Sequence, residues 1–369
     1  MILEIEFGAK FPKIINFMKK ISIAVSGIGN RALPKDKKKT FWNGWIKQIK
    51  QSNKFNLISA HDVSVEKLKK LVDDKLLRPD QVYKSFEKMI SNEKLDAVLI
   101  CNPAKVHFDY IKKALNKNLY VLVEKPAVNN FDEAKKLLKN KKNKKIAVVQ
   151  NWRTKDVGKI LRKKILGGNI GYVGQIFFRY IRNREKSFYP KYIYKEKLPA
   201  LYAMGIHHLD LFRYILNDEI VKVSGNFFKP KWSLYSSFTG FNLHLVTKKK
   251  IYINYTSTFS SLANIDNQES LIVNGSKASL INESNWLEPP LYLQKNNSKS
   301  KMNLTIDVKK NSIRNQYDIS DKTIIENFFA FVSKRKKPIC SYADAFKTIK
   351  LIEYCKRACF QKKNITIPL

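Results

Sequence analysis

Apolar runs of strand length alternate with amphipathic stretches over the first 150 residues. The runs are Ile21–Val25, Leu57–Asp62, Asp96–Cys101, Leu119–Val123 and residues 146–150. Unbroken apolar runs of this length predict strands buried on both faces. Between them, residues 65–72, 84–91, 107–116 and 132–139 carry helical periodicity. Trp42, Trp45, Ile46 and Ile49 fall at i, i+3, i+4 and i+7, which predicts a core-facing stripe. This alternation of strand and helix predicts a doubly wound parallel sheet over residues 19–150.

From Asn151 the pattern changes. A helix is predicted at 157–166, ending in Gly167-Gly168. Strands with in–out alternation follow near 175–180, 220–228, 240–247, 251–259 and 269–274, with a hairpin turn at Asn274-Gly275-Ser276. Helices are predicted at 204–216, 321–335 and 342–360, and residues 284–320 read as a polar, irregular excursion. The expected architecture is therefore α/β: an N-terminal parallel sheet, then an α+β domain at 151–369 with an open, mostly antiparallel sheet. Residues 1–18 read as an extension outside the fold.

A chain of 369 residues with 44% hydrophobic content can build two such cores. The formal net charge of +39 raises the question of a polyanionic partner. The lysines are spread along the whole chain, and the densest runs, Lys35–Lys39 and Lys139–Lys145, read as solvated loops. That distribution argues against nucleic acid as the partner. No apolar run approaches the ~18–20 residues of a membrane span, and Glu4, Glu6, Lys10 and Lys13 spoil the N-terminus as a signal peptide. Cys101, Cys340, Cys355 and Cys359 form no Cys-x-x-Cys pair and read as reduced core thiols of a cytoplasmic protein. His61, His107 and His244 are too scattered for a metal cluster, and no metal is expected.

Three stretches carry chemistry. The first strand runs into Gly27-Ile28-Gly29-Asn30-Arg31-Ala32, a G-x-G-x-x-A turn that lets a pyrophosphate approach the backbone. Pro34 forbids a clean helix directly after it, so the helix is expected later. Asp62, at the end of the second strand, is placed to bond ribose hydroxyls; its alternative role is to cap the helix starting near Val65. No arginine follows it, which favours NAD over NADP. The apolar run to Val123 ends in Glu124-Lys125-Pro126, at the sheet edge where ligands bind. Pro126 restricts Lys125 to extended geometry and so aims it. Finally, His207 and Asp210 share one helical face within Gly205-Ile206-His207-His208-Leu209-Asp210. A histidine there can take a hydroxyl proton while hydride leaves the same carbon.

Taken together these segments resemble the Gfo/Idh/MocA family of nicotinamide-dependent oxidoreductases. The likeness covers nearly all of residues 19–367. It rests on Gly27–Arg31, Cys101-Asn102-Pro103 with His107, Glu124-Lys125-Pro126, Gln150-Asn151-Trp152-Arg153, the His207 segment and Ser341-Tyr342-Ala343-Asp344-Ala345. The resemblance implies a Rossmann domain binding NAD, a second domain whose open sheet mediates homodimers or homotetramers, and a sugar, cyclitol or polyol substrate. It implies that Lys125 lies between substrate hydroxyl and nicotinamide and that His207 is the general acid/base. It also implies that Glu124 and Pro126 shape the nicotinamide pocket, and that Asn102, Pro103, His107, Trp152 and Arg153 line the cofactor. One departure matters. Many relatives carry an aspartate four residues before the histidine, and here that residue is Ala203. An NAD-assisted glycosidase or epimerase, or a non-catalytic sugar- or nucleotide-binding homologue, therefore stays open beside a dehydrogenase.

Overall fold

The computed structural model describes residues 19–34, 42–185, 194–263, 268–306, 308 and 313–368. The expected N-terminal extension, 1–18, lies outside them. In the first domain, strands β1 (Ile21–Ser26), β2 (Phe55–His61), β3 (Val82–Tyr83), β4 (Ala97–Ile100), β5 (Tyr120–Val123) and β6 (Ile146–Val148) form one sheet in the order β3-β2-β1-β4-β5-β6. All five pairings are parallel. The order reverses between β1 and β4, which opens a crevice at their carboxyl ends.

Helices α1 (Trp45–Gln51), α2 (Val65–Asp73), α3 (Phe86–Asn92), α4 (His107–Asn116) and α5 (Phe131–Leu138) connect the strands. Helix α1 begins well after Pro34, as the proline requires. It buries Trp45, Ile46 and Ile49, while Trp42 precedes it. Ser64, not Asp62, caps α2: its side chain accepts the Lys67 N–H. Strand β3 was not anticipated, because two half-buried residues carry no periodicity.

The second domain opens with α6 (Asp156–Leu166) and strand β7 (Val173–Ile181). A five-residue π turn, Leu201–Gly205, feeds α7 (Ile206–Leu216). Strands β8 (Ile220–Phe228), β9 (Gly240–Thr247), β10 (Tyr252–Thr258), β11 (Glu269–Gly275) and β12 (Ala278–Asn282) follow, then β13 (Tyr292–Lys295) and β14 (Met302–Asn303). Two helices, α8 (Ile313–Val332) and α9 (Tyr342–Gln361), and a last strand β15 (Ile365–Thr366) close the described chain. Among the described residues the second sheet has nine strands, in the order β14-β13-β12-β11-β7-β10-β9-β8-β15. Only β7 with β10 is parallel there. The segment expected to be an irregular excursion instead contributes β13, β14 and the first turns of α8.

The last helices return to the first domain. Ile324, Ile325, Phe328 and Phe329 of α8 pack into one core with residues of β1 and β2. Phe55 and Phe328 stack at 6.4 Å. Residue Ser341 bridges Ala147, and the Cys340 carbonyl takes the Val148 N–H, so the exposed edge of β6 is covered. The two domains are thus locked along a seam, and the carboxyl edge of the parallel sheet faces α7.

Candidate active site

The glycine loop is shaped by close backbone passage. Gly27 has φ +88°, and a Cβ there would meet the Asn102 nitrogen at 2.5 Å. Only glycine lets β1 turn so tightly against the end of β4. A Cβ on Gly29 would meet nothing within 4 Å. The space over Gly29 is open, so the protein itself does not require a glycine there, whereas a pyrophosphate lying on the backbone would. The loop closes in one turn, with the Ala32 and Leu33 N–H groups on the Gly29 carbonyl. Ile28 N–H donates to Asp62 Oδ2 at 2.7 Å, and Asp62 also receives Ser64 N–H at 2.9 Å and Lys67 Nζ at 3.1 Å. Asp62 therefore stands at the rim of the loop, where a ribose would lie.

Arg31, expected along the cofactor, ties the loop to two other elements. It donates to Glu124 at 2.9 Å and, through both terminal nitrogens, to Asp321 of α8 at 3.1 and 2.9 Å. Its guanidinium lies 5.3 Å from the Trp42 ring and 4.7 Å from that of Trp45, whose Nε1 donates to the same Glu124 oxygen. Burial pushes the Glu124 carboxyl up, but Arg31, Trp45 and Lys125 together hold it below its ordinary range. Asn102 accepts the Ser26 hydroxyl at 2.6 Å. The two ring nitrogens of His107 face the carbonyls of Asn102 at 2.7 Å and Pro126 at 2.9 Å. His107 thereby braces the ends of β4 and β5, and Pro103 carries the chain out of β4 in an extended conformation.

Lys125 crosses the seam. Its Nζ donates to the Ala203 carbonyl at 2.9 Å, inside the π turn. Burial pulls its ammonium down to about 8, against the pull of Glu124 and with Arg184 and Arg31 adding to the fall. His207 is one helical turn further along. Its ring lies 6.0 Å from that of Trp152 at an interplanar angle of 14°, and its Nδ1 has no hydrogen-bond partner among the described residues. Burial, then Lys125, His208, Lys155 and Arg31, hold His207 neutral, well below its ordinary value. The lysine amine, carried by the end of β5, is therefore held on the turn one helical step before the imidazole's own residue.

Trp152, Arg153, His208 and Asp210 are all buried at the seam. Asp210 does not face His207. It binds Arg153 through both oxygens at 2.6 Å and accepts the Thr348 hydroxyl at 3.0 Å. Arg153, expected to line the cofactor, is 4% exposed and spends its guanidinium on Asp210, Asp344 and the Ile339 carbonyl. Trp152 is a platform beneath both histidines, 4.6 Å from the His208 ring. His208 is a core residue: Phe178 and Tyr180 pack on it, and its Nδ1 meets the Tyr255 hydroxyl. Lys155, Glu288, Tyr317 and Asp321 also reach the seam and were not foreseen. They have no motif, and all but Lys155 come from or near the segment that reads as irregular.

A glycine loop at the switch point, a carboxylate at the next strand end and a lysine reaching across to the histidine helix define a dinucleotide-binding domain joined to a second α/β domain. The chain belongs to the Gfo/Idh/MocA oxidoreductase family. Residues 22–151 match its NAD-binding Rossmann fold and residues 162–368 its C-terminal alpha/beta domain. An inositol 2-dehydrogenase of Salmonella typhimurium is 27% identical over 140 residues, 37% of this chain and 40% of that protein. The inositol 2-dehydrogenase/D-chiro-inositol 3-dehydrogenase of Halalkalibacterium halodurans is 25% identical over 173 residues, 46% of this chain and 48% of that protein. These matches thus span less than half the length of either relative. An oxidoreductase from Agrobacterium radiobacter, solved with NAD+, L-tartaric acid and magnesium, superposes with a TM-score of 0.79 at 15% identity, over 95% of this chain and 99% of that one. At that identity the likeness is one of fold. No helix among the described residues is long and apolar enough to cross a membrane.

Proposed function

We propose that the protein oxidises a hydroxyl, or reduces the matching ketone, on a sugar, cyclitol or related polyol, using NAD. The observation that supports this reading is the reach of the Lys125 amine from the end of β5 to the Ala203 carbonyl, one helical turn before His207. Bound NAD supplies the hydride acceptor; Gly27, Gly29 and the loop N–H groups would hold its pyrophosphate, and Asp62 its ribose. Asp62 also disfavours a 2′-phosphate by charge, which supports NAD over NADP. Lys125 binds the reacting oxygen and, as an ammonium, stabilises negative charge developing there. His207 is neutral and so free to accept the hydroxyl proton.

Ala203 leaves His207 without a carboxylate to stabilise its cation. A second assignment follows from the same surroundings. Lys125, pulled down to about 8, can itself exchange the proton, whereas burial makes His207 reluctant to hold one. The pH dependence of turnover separates the two. A rate that follows a group near 8 and persists in His207→Asn assigns the proton to Lys125. A rate abolished in His207→Asn assigns it to the imidazole.

The test of the whole reading is reduction of NAD by a panel of polyols, with Lys125→Met as the control. Absence of turnover across sugars, cyclitols and sugar acids, with NAD bound, refutes it. The outer face of the second sheet exposes Phe177 on β7 and Tyr252 on β10, which supports association of two or four copies through that face. Solution mass measurement tests it. Four cysteines, none of them bridged, suit a reducing cytoplasmic setting.

A further inference from the structure

The glycine loop of this chain lacks the support such loops usually have. After a G-x-G-x-x-A turn the helix normally starts at once, and its first N–H groups and dipole receive the pyrophosphate. Here Pro34 interrupts, and the next helix among the described residues, α1, starts at Trp45. Its leading N–H groups are already used. Those of Trp45 and Ile46 donate to the Arg31 and Ala32 carbonyls of the loop itself, at 3.0 and 3.2 Å. The loop must therefore be held in shape by something other than a helix of its own.

Helix α8 supplies that hold from the far end of the chain. Asp318 and Asp321 are three residues apart and so lie on one of its faces. Asp321, fully buried, takes both terminal nitrogens of Arg31 at 3.1 and 2.9 Å. Asp318 takes the Asn43 N–H and the Gln48 Nε2, both at 3.3 Å, and so holds the segment that leads into α1. Between the two, Ser320 meets the Thr154 hydroxyl at 2.6 Å and donates to the Asn151 carbonyl at 3.0 Å. That contact pins α8 to the start of the second domain. The third Arg31 bond, to Glu124 at 2.9 Å, carries the tie on to the residue before Lys125.

A two-pronged arginine–carboxylate pair fixes both distance and angle. Such a pair, once buried, adds little net stability, because desolvation offsets the attraction. Burial indeed pushes the Asp321 carboxyl up to about 6 against the pull of Arg31. What the pair supplies is a set geometry, and a loop already in its bound shape takes its ligand without an ordering cost.

Resting on the oxidoreductase reading above, in which this loop receives NAD, we propose that Asp321 is a positioning residue for the dinucleotide. Through Arg31 it sets the pyrophosphate turn and the Glu124 end of β5 in one geometry, in place of the helix that Pro34 excludes. The last third of the chain thereby shapes the cofactor site of the first domain.

The experiment titrates the full chain with NAD and, separately, with ADP, by calorimetry. The variants are Asp321→Leu, Asp321→Asn, Arg31→Met and the double Arg31→Met/Asp321→Leu, each checked for a cooperative melt. Asp321→Leu should weaken both nucleotides about tenfold or more, within the usual range for coupled neighbours. Asp321→Asn, which keeps an acceptor for Arg31, should recover part of the loss. In the Arg31→Met background, Asp321→Leu should cost no further affinity, a pattern that general loosening of the fold does not give. Parent-like NAD affinity in Asp321→Leu overturns the inference. So does a loss of equal size with and without Arg31, or a loss for NAD that ADP, which carries the pyrophosphate, does not share. Failure of both Asp321 variants to fold assigns the residue to the fold and overturns it too. A parent that binds neither nucleotide sinks the oxidoreductase reading along with the inference. A parent that binds both while Asp321 is silent sinks the inference alone, so the two failures are distinguishable.

Discussion

Replacing Lys125 by methionine should make the protein more stable and, at the same time, inactive. Burial pulls the ammonium from 10.5 to about 8, which corresponds to about 3 kcal/mol held against the folded state at neutral pH. Methionine has similar length and no charge to desolvate. The variant loses the hydrogen bond to the Ala203 carbonyl, worth about 1.5–3 kcal/mol for a charged donor. The net expectation is a gain of about 1 kcal/mol, or roughly 2 °C in Tm. The sign depends on pH. In the parent, the native lysine releases its proton near pH 8 while the unfolded lysine keeps it to about 10.5. Between those values the unfolded state holds more protons, so the parent gains stability as pH rises. The methionine variant has no such slope, and its advantage shrinks and then reverses. Turnover should fall about 100-fold or more, since a charge aimed at the reacting oxygen is lost, while NAD affinity stays. Thermal denaturation from neutrality to pH 10.5, NAD titration and polyol-dependent NAD reduction measure all three. Turnover comparable with the parent's, or a Tm that drops at neutral pH, refutes the reasoning.

Three further outcomes are expected. Asp62→Ala should weaken NAD binding about tenfold or more by removing a charge-assisted bond to the ribose, measured by titration; an unchanged affinity removes that assignment. Gly29→Ala should fold with the parent's Tm, because a Cβ there touches no protein atom, and yet lose NAD affinity, because the added methyl fills the anion cradle. Ala203→Asp should place a carboxylate one turn from His207 and raise the rate of polyol oxidation by about tenfold, within the usual range for general base assistance. An unaltered rate favours Lys125 as the proton carrier.

Much of the dinucleotide half was legible in order along the chain. Buried parallel strands announce themselves as apolar runs, and β1, β4, β5 and β6 fall where such runs lie. The glycine turn, Asp62 beside it, and Lys125 at a strand end are local patterns with local physical causes. The departure at Ala203 could likewise be seen by inspection, and so could the delay of the first helix past Pro34. Strands β3 and β14 could not, because two residues have no period, and the start of α8 was hidden in a polar run.

What only the tertiary structure decided is how the charged residues are spent. Arg31 and Asp321 are 290 positions apart, and Arg153 and Asp344 are 191 apart. No spacing rule connects such pairs; they meet because α8 and α9 fold back on the first domain and exclude water there. The same closure turned Arg153 and Asp210 into an internal clamp, made Trp152 a shelf for His207, and brought Lys155 and Glu288 to the seam. Sequence chooses which side chains can titrate, donate or accept. Which of them meet one another follows from desolvation at contacts that the linear order does not record.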